Sequence, residues 1–189
     1  MPERSSRDEI VGIPWTYGSG PSDPVRLADE PGTWAEIDIA GPPERVWALV
    51  TDINLPARFS DEFEGAVWVG EGPAVGASFM GRNRHPAIGE WEVASFVDLY
   101  EEGRRFGWAT VDASNPGSRW RFDLESHGEG TRLRYSMSIG PGPSGICIAI
   151  EARPEKEPRI LARRLAEHHA NMTQTLQGIA ALAASDDPE

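Results

Sequence analysis

The segment from Phe63 to Ile139 consists of short runs in which apolar and polar residues alternate. In one of these runs, Trp120, Phe122 and Leu124 fall on one side of an extended chain, and the charged residues between them fall on the other. A period of two is typical of a β-strand with one buried face. Short turns rich in Gly, Pro and Asn join the runs, which favours antiparallel neighbours. The pattern predicts an antiparallel sheet whose apolar face must pack against another element.

The turn residues set the bounds of the predicted strands. A short helix interrupts the series, because Pro43 and Glu44 suit a first helical turn and Val46 and Val50 would form its inner face with Trp47. A second short helix could follow it. One strand precedes these helices and six come after them, at residues 33–39, 63–69, 79–84, 90–99, 104–111, 119–125 and 131–139.

Residues 159–182 are predicted to form the helix that covers the sheet. Apolar residues and one histidine recur there at steps of three and four, which is typical of an amphipathic helix. They are Leu161, Leu165, His168, Met172, Leu176 and Ile179. At 1.5 Å per residue the helix would be about 36 Å long, enough to cross six strands. The Gly- and Pro-rich residues 140–158 are predicted to be a loop.

The chain of 189 residues suggests one domain with extensions. Residues 1–32 are predicted to be an irregular arm: Trp15 and Tyr17 could pin part of it to the domain, or it could be a mobile tail. Residues 33–184 would form the domain itself. Residues 185–189 would be an acidic tail.

Composition excludes several classes of function. The net charge is −12, with 18 basic residues against 30 acidic ones, which disfavours nucleic acid and anionic membranes as partners. No apolar run reaches the roughly 18 residues of a membrane span. Cys147 is the single cysteine, so no internal disulfide can form, and a reducing, cytoplasmic location is expected. A single lysine among many Ala, Gly and Pro residues suggests a GC-rich bacterial genome.

Motifs for a cofactor, a metal or a reactive nucleophile are weak. Residues 140–145 match G-x-G-x-x-G, but Pro141 and Pro143 have no N–H group to offer a phosphate, so the segment is predicted to be a semi-rigid flap. The four histidines follow no metal-binding motif, and His168 and His169 point about 100° apart on a helix. Cys147 lies in an apolar run and is predicted to be an inert thiol. We therefore expect no cofactor and no metal.

Two motifs carry a resemblance to known proteins. Residues 39–47, followed by Thr51 and Asp52, resemble the opening of the SRPBCC superfamily, the helix-grip proteins that include START-like, birch-pollen-allergen-like and polyketide cyclase/dehydrase domains. Residues 128–133 resemble its last hairpin. Two further stretches, residues 79–84 and 140–145, resemble a cyclase-like branch of the same superfamily. The resemblance implies an α+β helix-grip fold, in which a curved antiparallel sheet wraps around the C-terminal helix and encloses a cavity.

Residues on the inner faces are then candidates for contact with a ligand. Aromatic rings could form a plain core or the wall of a cavity that suits flat molecules. His168 could contact a ligand or be satisfied by a neighbouring side chain, and with Tyr135 it is a weak catalytic candidate, as base and donor. The predicted ligand-binding residues are Asn83, Trp91, Ser95, Phe106, Trp108, Trp120, Phe122, Tyr135, His168 and Met172.

The predicted function is binding of an apolar small molecule of polycyclic or polyketide-like type. Three alternatives stay open. The chain could be a cofactor-independent polyketide cyclase or dehydratase, which would need two polar groups meeting in the cavity. It could sequester an antibiotic of the enediyne type for self-resistance, or it could be a structural domain with a filled core. We expect a monomer or a homodimer, with no nucleic-acid partner and no membrane span.

Overall fold

The computed structural model describes residues 24–185. Trp15 and Tyr17, which could pin the arm, and the acidic residues after Ser185 lie outside the described residues. Within the described range, Val25 and Leu27 pack against the core, and Glu157 binds the same segment through the backbone N–H of Leu27 at 2.8 Å and through Arg26. The segment before the first strand therefore contacts the start of the last helix.

Seven antiparallel strands form one sheet, as the alternation predicts. Its spatial order is β1-β7-β6-β5-β4-β3-β2, so the two strands that flank the first helix are the two edges. The strands are β1 (Gly32–Ile39), β2 (Phe63–Val69), β3 (Ser78–His85), β4 (Gly89–Glu101), β5 (Arg105–Thr110), β6 (Ser118–His127) and β7 (Gly130–Ile139).

Three α-helices accompany the sheet: α1 (Pro43–Val50), α2 (Gly145–Ala152) and α3 (Glu157–Ala184). α1 begins where Pro43 and Glu44 predict it, and the second short helix is a 3₁₀ turn at Leu55–Arg58. α3 extends two residues beyond the predicted helix at each end. The α+β helix-grip architecture is confirmed.

α3 packs most closely on the β1–β7 side of the sheet. Leu161, Leu165, Leu176 and Ile179 of its predicted stripe are almost completely buried. Full burial of one such side chain contributes about 1.5–3 kcal/mol, so the stripe holds the helix on the sheet. The inner faces of β3 to β6 lie further from α3, and the space between them is only partly filled.

The outer face of the sheet carries a network of ion pairs between neighbouring strands. Arg132 donates to Asp38 at 2.8 Å, and Arg134 donates to Glu36 at 2.8 Å while stacking 4.4 Å above the ring of Trp34. Exposed pairs of this kind stabilise by less than about 1 kcal/mol each. They nevertheless favour one register, because a shift of one residue would bury these charges and expose the apolar face.

The predicted loop at 140–158 is wrong over residues 145–152, because Gly145–Ala152 forms α2, and again from Glu157, where α3 begins. Ser144 caps this helix, and its hydroxyl accepts the N–H of Cys147. Gly140 and Gly142 lie so close to Pro116 and Asn115 that a Cβ on either glycine would overlap the neighbouring backbone. The predicted flap is thus packed against the β5–β6 connection.

No helix within residues 24–185 is both long enough and apolar enough to cross a bilayer.

Candidate ligand cavity

A cavity lies between the inner faces of β3–β6 and the helices. The space between its lining atoms is about 830 Å³ when the open mouth is included, and about 120 Å³ of it can hold the centre of a water molecule. At about 10–15 Å³ per water centre, that room corresponds to roughly eight to twelve waters. The core is therefore not filled, which argues against a purely structural domain.

Aromatic rings form the wall of the cavity on the sheet side. Trp108 and Trp120 face each other across β5 and β6 with their planes 9° apart and their centroids 6.4 Å apart. Phe122 stacks on Tyr135 at 4.0 Å, and Phe79 meets Trp108 edge-on at 5.9 Å. Edge-to-face and offset contacts of this kind fix ring orientation, so the wall is a preformed surface.

Three buried polar side chains line this cavity. Ser95, Tyr135 and His168 are 2%, 5% and 9% exposed and line it together. None of the three side chains has a hydrogen-bond partner within residues 24–185, yet their polar atoms are not sealed from the open space. Buried polar groups in proteins are nearly always satisfied. These three are therefore available to a ligand or to bound water.

His168 and Tyr135 meet at the same ring. The imidazole of His168 lies edge-on to Trp120 at 5.1 Å between centroids, and the ring of Tyr135 lies 5.7 Å from Trp120. The sequence leaves two roles open for His168, contact with a ligand or a hydrogen bond to a neighbouring side chain. Within residues 24–185, no side chain forms a hydrogen bond with the His168 imidazole. The fold brings the two weak catalytic candidates to one part of the cavity.

Burial sets the protonation of both groups. Desolvation lowers the pKa of His168 well below its usual value, and the charges of Arg164 and His85 lower it further. Desolvation also raises the pKa of Tyr135 far above its usual value. Both side chains are therefore neutral near pH 7, with Tyr135 able to donate a hydrogen bond and His168 able to donate or accept one.

A charged cluster lies beside His168. Arg164, one helical turn before it, donates to Glu62 at 2.7 Å and to Glu167 at 3.3 Å, and the Arg164 and Glu62 side chains are largely buried. His85 Nε2 lies 3.8 Å from Glu167. The pair between Arg164 and Glu62 joins α3 to the segment before β2 at the cavity. Removing one partner of such a pair would leave an uncompensated charge.

Nine of the ten predicted ligand-binding residues line this cavity. Trp91 does not; it lies opposite Asn83, towards the β3–β4 turn. The nine are Asn83, Ser95, Phe106, Trp108, Trp120, Phe122, Tyr135, His168 and Met172. His169, on another side of α3, contacts Thr33 instead, at 3.3 Å.

Several lining residues were not predicted. Asn171 and Thr175 follow His168 at helical steps, so the stripe on α3 could have indicated them. Phe63 and Phe79 lie on predicted strands. Asp52 and Glu62 come from the connection between α1 and β2, where no periodic pattern indicates which side chains approach the cavity.

Fold and cavity together define a helix-grip protein with an internal ligand-sized space. The sequence profile of the family described as polyketide cyclase/dehydrase and lipid transport matches residues 34–167. The chain belongs to this family. A search of curated protein sequences gives no match.

Solved structures agree with this assignment. The polyketide-cyclase-like protein Cgl2372 from Corynebacterium glutamicum is 31% identical, with a TM-score of 0.58, over 86% of this chain and 92% of that one. The di-domain aromatase/cyclase StfQ of the steffimycin pathway is 16% identical with a TM-score of 0.61, over 80% of this chain and 50% of StfQ. The di-domain ARO/CYC protein BexL, from the BE-7585A pathway, is 15% identical with a TM-score of 0.59, over 82% of this chain and 50% of BexL. StfQ and BexL, at these identities, support the fold alone.

Proposed function

We propose that this protein binds a small, flat, largely apolar molecule in the cavity and holds its polar groups with Ser95, Tyr135 and His168. The observation that carries the proposal is the set of three buried polar side chains that have no hydrogen-bond partner within residues 24–185 and that line the cavity together with a wall of aromatic rings. Ligand sites typically combine such a wall with a few convergent polar groups. The family of the chain supports a polyketide-like ligand.

The room in the cavity limits the size of that molecule. A water takes about 30 Å³ in the liquid, so eight to twelve waters correspond to about 250–350 Å³ of molecular volume. That is at the lower end of the usual range for ligand pockets. We therefore expect two or three fused rings in the cavity as it stands. A larger polycyclic ligand would require the mouth to widen.

A cyclase or dehydratase is the second candidate, because His168 and Tyr135 meet at Trp120. In an intramolecular aldol addition, His168 would take the proton from the carbon between two carbonyls while Tyr135 donates a hydrogen bond to the carbonyl under attack. The new carbon–carbon bond replaces the π bond of the attacked carbonyl, and the His168 imidazolium would return its proton to the resulting alkoxide, so the addition conserves mass. A following dehydration releases water. The lowered pKa of His168 makes it a free base at pH 7, although a weak one.

A cavity-filling variant tests the binding proposal. Naphthalen-2-ylmethanol is titrated into the wild type, Ser95→Leu and Ala94→Leu by isothermal titration calorimetry. Ser95 lines the cavity, and Ala94 is the adjacent residue on the other face of β4, so the two variants add the same side chain on opposite sides. We expect saturable binding by the wild type and Ala94→Leu, and at least a tenfold loss in Ser95→Leu.

The absence of saturable binding by the wild type would contradict the proposal, and so would equal binding by all three proteins. The enzyme candidate has its own measurement. Mass spectrometry would follow a linear poly-β-carbonyl thioester incubated with the wild type, His168→Gln and Tyr135→Phe. A cyclised product, or a loss of water, that depends on both side chains would favour the enzyme. An unchanged substrate with all three proteins would favour a binding protein.

A further inference from the structure

The charged side chains that line the cavity are both acidic. Asp52 and Glu62 contribute to the lining, and within residues 24–185 no lysine or arginine does. Arg164 is close enough to affect His168, but its guanidinium is directed at Glu62 and Glu167. The described part of the lining therefore carries no positive charge that a ligand could pair with.

The two acidic side chains differ in whether a carboxylate oxygen is free to accept a hydrogen bond from a ligand. Both carboxylate oxygens of Glu62 are held by Arg164. Asp52, just after α1, is exposed, and its Oδ1 accepts the backbone N–H of Asn54 at 2.9 Å. Within residues 24–185 it forms no salt bridge. Asp52 is thus the acidic group at the cavity whose second oxygen is free to accept from a ligand.

The buried end of the cavity is neutral. Ser95, Tyr135 and His168 carry no charge near pH 7, for the reasons given above. A carboxylate or phosphate in contact with them would lose its hydration without gaining a cation, which is costly. At the exposed end the same anion would be repelled by Asp52. An ammonium group at the exposed end would instead be attracted to Asp52.

We propose that the site selects its ligand by charge: it takes neutral or cationic aromatic molecules, prefers an amine placed to reach Asp52, and rejects carboxylates and phosphates. This inference rests on the proposed binding function. Its independent support is that an acid without a cationic partner within residues 24–185 lies at the exposed end, while three neutral polar groups without hydrogen-bond partners there lie at the buried end. A carrier of fatty acids or phosphorylated lipids would need the opposite arrangement.

Three naphthalenes that differ in one group test the preference. Naphthalen-2-ylmethanol is neutral, naphthalen-2-ylmethylamine is cationic and 2-naphthoate is anionic at pH 7. Calorimetric titration at low salt should show the amine binding about threefold tighter than the alcohol. This ratio corresponds to the free energy that an exposed ion pair typically contributes. The naphthoate should bind at least tenfold more weakly than the alcohol. Added salt should reduce the advantage of the amine.

Two variants test whether Asp52 causes the preference for the amine. Asp52→Asn keeps the side-chain oxygen that accepts from Asn54 and should abolish the advantage of the amine over the alcohol. Glu125→Gln makes the same change of charge on the outer face of β6 and should keep the wild-type preference.

The outcomes separate this inference from the proposed function. If the alcohol binds and the naphthoate binds as well or better, the charge preference is wrong while the binding function stands. If Asp52→Asn keeps the advantage of the amine, the assignment to Asp52 is wrong. If none of the three compounds binds, the proposed function itself fails.

Discussion

The imidazole of His168 has three neighbours with different chemistry: an aromatic ring, a guanidinium and a second histidine. Trp120 packs against it in an edge-to-face arrangement, Arg164 adds positive charge one helical turn away, and His85 lies at the end of β3. On an exposed helix the same residue would titrate near its ordinary pKa of about 6.5. Burial by the fold makes it a neutral polar group inside an apolar wall.

The stability of the protein should therefore depend on His168 as pH falls. The lowered pKa in the folded state means that the unfolded chain binds a proton more readily, so stability is fully present above about pH 6.5 and is lost as pH falls below it. Each unit of difference in pKa corresponds to about 1.36 kcal/mol. Urea unfolding of the wild type between pH 7.5 and pH 5 should show this loss.

The variant His168→Gln should unfold with a flatter pH dependence over that range. His169→Gln is the matched control, because His169 is adjacent on α3 but contacts Thr33 outside the cavity. A slope reduced equally by both variants, or unchanged in His168→Gln, would show that another group is responsible.

α3 approaches the 3₁₀ turn at Leu55–Arg58 closely at one point. Gly178 lies against the ring of Phe59, and a Cβ at position 178 would overlap that ring. Pro56, in the same turn, and Ile53, just before it, line the cavity. The missing side chain at Gly178 therefore sets how near this part of the cavity wall lies to the helix.

Gly178→Ala should consequently destabilise the protein. Alanine would add about 1 kcal/mol of helix propensity, but overpacking against Phe59 should cost about 1–3 kcal/mol and displace the turn. We expect a lower midpoint of urea unfolding and weaker binding of naphthalen-2-ylmethanol. Gln177→Ala, at the exposed neighbouring position, should leave both unchanged within error. A more stable Gly178→Ala protein would mean that Phe59 moves aside at no cost.

At the scale of the whole molecule, the sheet is packed tightly on one side and loosely on the other. The β1–β7 side is closed by α3, whereas the β3–β6 side keeps unfilled space and unsatisfied polar groups. Such space forfeits dispersion contacts that a ligand could supply. The protein should gain stability when the cavity is occupied.

Thermal unfolding with naphthalen-2-ylmethanol at 100 times its dissociation constant should show this gain. Binding to the folded state alone adds about 2.7 kcal/mol under these conditions, which for a chain of this size is a rise in Tm of about 5–10 °C. Ser95→Leu should show almost no rise. A Tm that does not change in the wild type, despite binding by calorimetry, would mean that the ligand binds the unfolded chain equally well.

The sequence by itself determined the strands, the faces they bury and the family. Alternation and helical stripes are local signals, since each residue's side of its element follows from its position in the period. The buried faces of the strands, the stripe on α3 and nine cavity residues follow from that rule. The periodicity rule did not predict α2, because Gly145–Ala152 has no polar face and therefore no helical period that distinguishes it from an apolar loop.

Only the tertiary structure decided which inward-facing residues meet. Trp91 has the same alternation as Ser95 but does not line the cavity, although Asn83, directly opposite it on β3, does. Asp52 and Glu62 reach the site through an irregular connection, and His168 and Tyr135 converge through the placement of α3 over the sheet. These are distances between residues far apart in the chain. They depend on sheet curvature and helix packing, which no period in the sequence encodes.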